Sequence, residues 1–296
     1  MRTGAVDGFT LEYDRAGSGH PALLLHGWPG DRGDYRELVP LLTGSLDVVV
    51  PDLRGFGESD KHDADPAEQY NAAAQARSMA GLIEELDLER PVVVGYDVGS
   101  RVGQALAAAR PELVGALVVA PPLPGIGRRI LEPEAQRAYW YQPFHQLPLA
   151  VDLIDGKPDA VRAYLMHFWS TWSGPHYTPE PEHVDRLVSV YGRPGAFRAS
   201  INWYRAGAGA VALSVAEVEP PPERRIAVPT TVLWPEHDPL FPRAWSDRLD
   251  RFFSDVEMRP VDGVGHFMPL EGTKALADAV LAAAARIALS GDRTGG

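Results

Sequence analysis

The chain has 296 residues, 45% of them hydrophobic, with a formal net charge of −12 at neutral pH and no cysteine. That size suits one α/β domain with an insertion, or at most two domains. The missing cysteines exclude a disulfide framework and a thiolate nucleophile or metal site, and the acidic balance disfavours nucleic acid and anionic membrane as partners. No apolar run reaches the ~18 residues of a spanning helix, and Met1–Gly8 lacks the apolar stretch of a secretory signal. The expectation is a cytoplasmic protein, monomer or homodimer.

Short β-rich runs alternate with alanine-rich helical stretches, the pattern of a mostly parallel sheet covered by helices on both faces. In chain order, Phe9–Tyr13 alternates and reads as an edge strand. Further strands are predicted at Ala22–Leu25, Val48–Val50, Val92–Val94, Ala116–Val119, Thr230–Trp234 and Val256–Val261. Helices are predicted over Ala72–Leu86, Ser100–Ala109, Ala244–Phe252 and Lys274–Leu289, and the tail Gly291–Gly296 reads as frayed. The strand rhythm stops after Val119 and resumes at Thr230. Pro121-Pro122-Leu123-Pro124-Gly125 and Glu219-Pro220-Pro221-Pro222-Glu223 bracket that gap and read as hinges. The expected organisation is therefore a core of residues 1–122 and 226–296 with a helical cap of residues 123–225 over the C-terminal edge of the sheet.

Gly95-Tyr96-Asp97-Val98-Gly99 follows the apolar run Pro91–Val94. The G-x-nucleophile-x-G turn forces its central side chain into a strained strand-to-helix corner, tip outward. Here the centre is a carboxylate, already ionised at neutral pH, suited to attack an alkyl carbon bearing a leaving group or a strained ring. Such hydrolases order their triad as nucleophile, acid, histidine. Asp238 in Pro235-Glu236-His237-Asp238-Pro239 and His266 in Asp262-Gly263-Val264-Gly265-His266 follow the last two predicted strands. Each residue alone reads equally well as a cap, a turn or a core histidine; the three in this order, each after a strand, favour a triad. His26-Gly27-Trp28-Pro29 follows Ala22–Leu25, and in this class that loop supplies one oxyanion N–H, with a second from the residue after the nucleophile. The donors are then the Trp28 and Val98 amides, with His26 bracing the loop.

On these motifs, together with Asp52-Leu53-Arg54-Gly55-Phe56-Gly57-Glu58-Ser59, the chain resembles α/β-hydrolases of the epoxide hydrolase branch over nearly its whole length. The core motifs are shared with haloalkane and haloacetate dehalogenases, so the cap decides between reactions. Tyr141 in Tyr141-Gln142-Pro143-Phe144 lies where the family carries its first ring-opening tyrosine, and Tyr204 in Asn202-Trp203-Tyr204-Arg205 matches the motif of the second. A phenol can hold the oxygen of an opening epoxide and give up a proton, whereas a departing halide needs only N–H donors. Val98 stands where haloalkane dehalogenases usually have Trp, and Tyr141-Gln142 near where haloacetate dehalogenases have His-Trp. Arg101, four after Asp97, is shared with the haloacetate enzymes.

The resemblance thus implies hydrolysis of a small apolar or aromatic epoxide through an Asp97 ester, with dehalogenation or ligand binding without turnover as alternatives. His26, Pro29, Tyr96, Trp140 and Trp203 are candidates for the pocket. Arg101 reads as a loop brace, with contact to an acidic substrate as the alternative. Gly125-Ile126-Gly127 lacks the third glycine of a dinucleotide loop, and Ala206–Ala210 reads as a turn. The remaining histidines show no metal-ligand spacing, so neither metal nor cofactor is expected.

Overall fold

Runs of Val, Leu and Ala with no polar alternation make strands that bury both faces. His20–Leu25 (β3), Val92–Gly95 (β5) and Ala116–Val119 (β6) do so almost completely. The computed structural model describes residues 1–208 and 210–291. Gly209 of the expected 206–210 turn and the tail from Asp292 onward therefore lie outside the described residues. With Arg2–Val6 (β1), Phe9–Gly17 (β2), Leu46–Pro51 (β4), Thr230–Pro235 (β7) and Val256–Val261 (β8), the strands form one sheet in the order β1-β2-β4-β3-β5-β6-β7-β8. The first two strand pairs, β1 with β2 and β2 with β4, are antiparallel, and every later pair is parallel. This is the α/β-hydrolase architecture that the resemblance implies.

Two expectations need correction. Phe9–Tyr13 is the start of a longer strand and is not the edge, because β1 pairs outside it. The turn between them is Asp7-Gly8, with φ of 49° and 79°. An Asp-Gly pair with both residues at positive φ is the two-residue hairpin turn that matches strand twist. The segment predicted as a helix at 244–252 is a 3-10 helix, Arg243–Arg251. Only Trp245 and Leu249 are buried along it, so packing imposes no continuous α-helical stripe.

Ala72–Glu85 (α1) and Val98–Ala109 (α2) pack on the sheet and on each other, and Thr273–Gly291 (α7) covers β6. Between β6 and β7 the chain is helical: Tyr141–Gln146 (α3), Pro158–Trp172 (α4), Pro181–Tyr191 (α5) and Ala210–Ala216 (α6) are its principal elements. α4 and α5 each begin with proline, whose missing N–H costs nothing at a first helical position. Val161, Leu165, Phe168, Trp169 and Trp172 give α4 a buried face at helical spacing. Polar contacts fasten α5 to the loop after β3: Arg186 pairs with Asp31, and the Tyr191 hydroxyl donates to the Gly30 carbonyl at 2.7 Å. No described helix is long and apolar enough to cross a membrane.

Arg54, fully buried in the loop after β4, ties the first hairpin to α1. Its guanidinium donates to Asp7 Oδ2 at 2.8 Å, to the Gln69 carbonyl at 3.1 Å and to Ser78, and lies 4.2 Å above the Phe9 ring. Replacing it strands several acceptors at once. Arg54→Ala is expected to lower the unfolding free energy by about 3 kcal/mol in a urea titration at neutral pH, and Arg54→Lys, without the planar fork, to recover only part of that loss.

Candidate active site

The corner after β5 is tight because its neighbours have no side chains. A Cβ on Gly95 lies 2.5 Å from the Gly99 backbone, and one on Gly99 overlaps the Leu25 carbonyl oxygen. Asp97, between them, adopts φ 47° and ψ −119°, a conformation costly for a residue with a side chain. From there α2 begins at Val98, and the Asp97 N–H is held by the Pro121 carbonyl at 3.0 Å. Gly27 lets the loop after β3 come equally close: a Cβ there meets Asp97 Cβ at 2.6 Å. As a result the Trp28 N–H donates to Asp97 Oδ1 at 2.7 Å. One carboxylate oxygen thus already occupies the position expected for an oxyanion donor's partner.

The other oxygen, Oδ2, faces His266 Nε2 at 3.4 Å. On its far side His266 Nδ1 lies 2.9 Å from Asp238 Oδ2, and Asp238 Oδ1 accepts the Leu240 N–H at 2.8 Å. The imidazole is completely buried, which opposes its charge, yet Asp238 and Asp97 outweigh burial and raise its pKa to about 10. Glu271, which sequence reasoning missed, fixes the histidine loop by accepting N–H groups of Gly174, Gly265 and Phe267 at 2.7, 2.9 and 3.0 Å. A glutamate five residues beyond His266 and next to a helix start was its only sequence signal.

Tyr141 and Tyr204 reach the same place from the cap. Their rings meet edge to face with centroids 5.5 Å apart, and Trp28 stacks parallel to Tyr141 at 5.9 Å. The Tyr141 hydroxyl accepts from Gln142 Nε2 at 3.3 Å and also interacts with the buried Tyr204 hydroxyl. Burial, then the Asp97 carboxylate, pushes Tyr141 well above the ordinary phenol range; burial, Tyr141 and Asp97 do the same to Tyr204. Both therefore keep their protons at neutral pH. Asp97, Tyr141, Tyr204 and Trp203 line one cavity of about 30 Å³, with apolar walls from Val98, Ile126 and Phe241. It is closed to all but a water or two.

The other pocket candidates lie elsewhere. His26 is fully buried as a loop brace: its Nδ1 lies 2.9 Å from the Gly27 carbonyl, and Nε2 accepts the Leu53 N–H at 3.0 Å. Tyr96 directs its hydroxyl away from the cavity, to Asp34 Oδ2 at 2.5 Å. Pro29 is not among the cavity walls, and Trp140 is 42% exposed on the outer side of the cap. Arg101 does not brace loops. It lines the cavity, and its guanidinium makes no hydrogen bond or ion pair to any described residue. Among the described residues no three His, Asp or Glu side chains group as a metal would need.

Behind the elbow lies a second buried carboxylate. Asp34 is completely enclosed, with Tyr96 on Oδ2 and His183 Nε2 3.4 Å from Oδ1. Burial and the nearby Asp31 raise its pKa to about 8, against the pull of Arg186 and Arg36. Because the unfolded carboxyl ionises near its ordinary value, folding forfeits stability as pH rises from about 4 through 8. His183, lowered to about 3 by burial and these arginines, titrates in the opposite sense below 6.5. The clean window is therefore pH 6.5 to 8. Over it Asp34→Asn is expected to gain unfolding free energy relative to the wild type, levelling off above pH 8. Urea titrations at pH 6.5, 7.2 and 8.5 read this, and a pH-independent difference contradicts it.

Comparison with known proteins agrees with this geometry. Residues 21–273 match the family described as alpha/beta hydrolase fold. The chain is 26% identical to the soluble epoxide hydrolase of Corynebacterium sp. (strain C12), covering 93% of this chain and 94% of that protein. It is 31% identical to the fluoroacetate dehalogenase of Burkholderia sp., over 68% and 67% of the two chains. The solved structure of the ligand-free epoxide hydrolase CorEH superposes with a TM-score of 0.82 at 25% identity, covering 97% of this chain and 99% of the other.

Proposed function

The chain belongs to the alpha/beta-hydrolase family and fits its epoxide hydrolase branch, and from that premise we propose that it converts an epoxide to a vicinal diol through an ester on Asp97. One observation carries the reading: an anionic carboxylate and two protonated phenols line the same closed cavity. Residues 123–225 act as the cap that brings the phenols over the carboxylate. Asp97 attacks a ring carbon from the side facing the cavity, and the C–O bond breaks. Tyr141 and Tyr204 hold the ring oxygen and deliver a proton, since even a phenol of raised pKa is far less basic than an alkoxide.

Ester formation removes the negative charge from Asp97. His266 then keeps one carboxylate partner in place of two, so its pKa falls from about 10; its extra proton passes to the tyrosinate left by ring opening, and the neutral imidazole can accept a proton from water. The water attacks the ester carbonyl carbon. The Trp28 and Val98 amides hold the tetrahedral oxyanion, a contact worth ~3 kcal/mol of barrier per donor. Acyl–oxygen cleavage releases the diol as its leaving oxygen takes the proton from His266, and the new Asp97 carboxyl then returns a proton to the imidazole and regains its charge.

His266→Gln separates the two steps. Its intact mass is expected to rise by one substrate mass on exposure to an epoxide that the wild type turns over, and single turnover of the wild type in ¹⁸O water to label Asp97. An enzyme that turns over without either signal uses direct attack of water. Tyr141→Phe with Tyr204→Phe is expected to slow the alkylation step about 10²-fold or more, each single variant less, since one hydroxyl remains. A second reading, displacement of halide from a haloacid, draws on the unpaired Arg101 in the cavity wall and on the fluoroacetate dehalogenase relative. Halide release from haloacetates that outpaces diol formation from epoxides selects it.

A further inference from the structure

The catalytic cavity, at about 30 Å³, has no room for a substrate, since small-molecule sites run to several hundred Å³. It shares part of its wall with a groove of about 550 Å³ on the surface. The groove runs between α2 and α6, with Ala105 and Ala108 on one side and Leu213 and Ala216 on the other, over a floor that includes Ile226 and Phe252. Two residues stand in both linings: Arg101 and Trp203. They are the partition between the outside and the nucleophile.

The polar and aromatic walls of the cavity are not fastened alike. Tyr139 is tied to the Leu240 carbonyl at 2.9 Å, and Tyr141 is stacked on Trp28. The Arg101 guanidinium has no hydrogen bond to a described residue, so its displacement gives up packing and the attraction of Glu217 alone. Glu217, the acidic side chain of the groove, accepts the Gly125 N–H at 2.8 Å and attracts the Arg101 guanidinium without a hydrogen bond to it. Trp203 leads into the π-helical turn Tyr204–Ala208, where Gly207 has φ of 77°.

We propose that the groove between α2 and α6 is the substrate entrance and the seat of the substrate's tail, with Arg101 and Trp203 as the movable partition. The substrate class that follows is an elongated, mainly apolar epoxide, whose ring passes to Asp97 while its chain or ring system stays against Ala105, Leu213 and Phe252. This rests on the reading of Asp97 as the epoxide-opening nucleophile. Arg101 is a specificity-determining residue here: displaced by the tail, it turns to the solvent at the groove mouth.

The absence of cysteine makes a reversible block possible. Ala108→Cys and Ala216→Cys put single thiols on exposed positions of the two groove walls, and Ala163→Cys puts a control thiol on the exposed side of α4. Each variant is labelled through a disulfide with a bulky aryl thiosulfonate, assayed, and assayed again after reduction. For a long-chain terminal epoxide, kcat/KM of the labelled Ala108→Cys and Ala216→Cys proteins is expected to fall at least tenfold below the reduced state, while Ala163→Cys changes less than twofold. Arg101→Ala is expected to raise the ratio of kcat/KM for the long epoxide over a short one several-fold. Complete labelling at both groove positions with less than a twofold effect overturns the entrance, as does an unchanged ratio for Arg101→Ala. The same labelling in the His266→Gln background, read as the rate of ester accumulation by mass, keeps the two claims apart. No adduct from any epoxide removes the Asp97 reading and the substrate class with it; an adduct whose rate ignores the label removes the groove alone.

Discussion

The backbone at Asp97 is the constraint from which the site is built. A carboxylate-bearing residue held at φ 47° and ψ −119° persists only where the surroundings over-determine it. They do so through contact: Gly95 against Gly99, Gly99 against the Leu25 carbonyl, Gly27 against Asp97 itself. A methyl at any of these points pushes β3, β5 and α2 apart. The same closeness delivers the Trp28 N–H to Oδ1 and leaves Oδ2 for His266. Strain in one residue is thus what brings three separate loops within hydrogen-bond reach of one carboxylate.

Around that corner the protein buries several carboxylates and gives each a different fate. Asp31 is compensated by Arg186 and Asp52 by Arg32 together with the Arg32 and Glu58 amides, as buried anions require. Asp238 is oriented by the Leu240 N–H and paired with His266. Asp34 receives no cation in direct contact and retains its proton to about pH 8. Its bond to Tyr96, the residue before Asp97, anchors that corner from behind without adding a charge beside the Asp97 carboxylate. A fully ionised Asp34 there adds repulsion to a region already holding Asp31, Asp52 and Asp97.

Much of this was legible in the sequence because the motifs are local. Gly95 to Gly99, His26 to Pro29 and the loops ending at Asp238 and His266 each encode a turn whose geometry depends on neighbours a few residues away. The Asp7-Gly8 hairpin was equally readable, yet it was passed over for the run that follows it. What the sequence hid depends on the cap. Tyr96 sits beside Asp97 in the chain, but the direction of a side chain at a tight turn is set by what packs behind it, here Asp34; His26 is the loop brace that its motif implies, held to the Leu53 amide. Arg101 was read as a brace because a first-turn arginine usually finds a partner. Whether it does depends on where residues 203 and 217, more than a hundred positions away, come to rest.

The electrostatics bear on why a closed cavity suits the proposed chemistry. An imidazolium between two carboxylates owes its pKa of about 10 to a setting with little water to screen those charges. Neutralising one carboxylate by alkylation changes the imidazole's proton affinity strongly only under that condition; in an open, hydrated cleft the same event is muted. In the proposed reaction the first step would prepare His266 for the second through the field alone, without movement of the imidazole, whose loop Glu271 holds by three backbone bonds. Enclosure serves the phenols as well. Burial keeps Tyr141 and Tyr204 protonated for the proposed ring opening. On the proposed mechanism one enclosure thus serves both steps: it keeps the phenols protonated for ring opening and makes the charge on His266 sensitive to the state of Asp97.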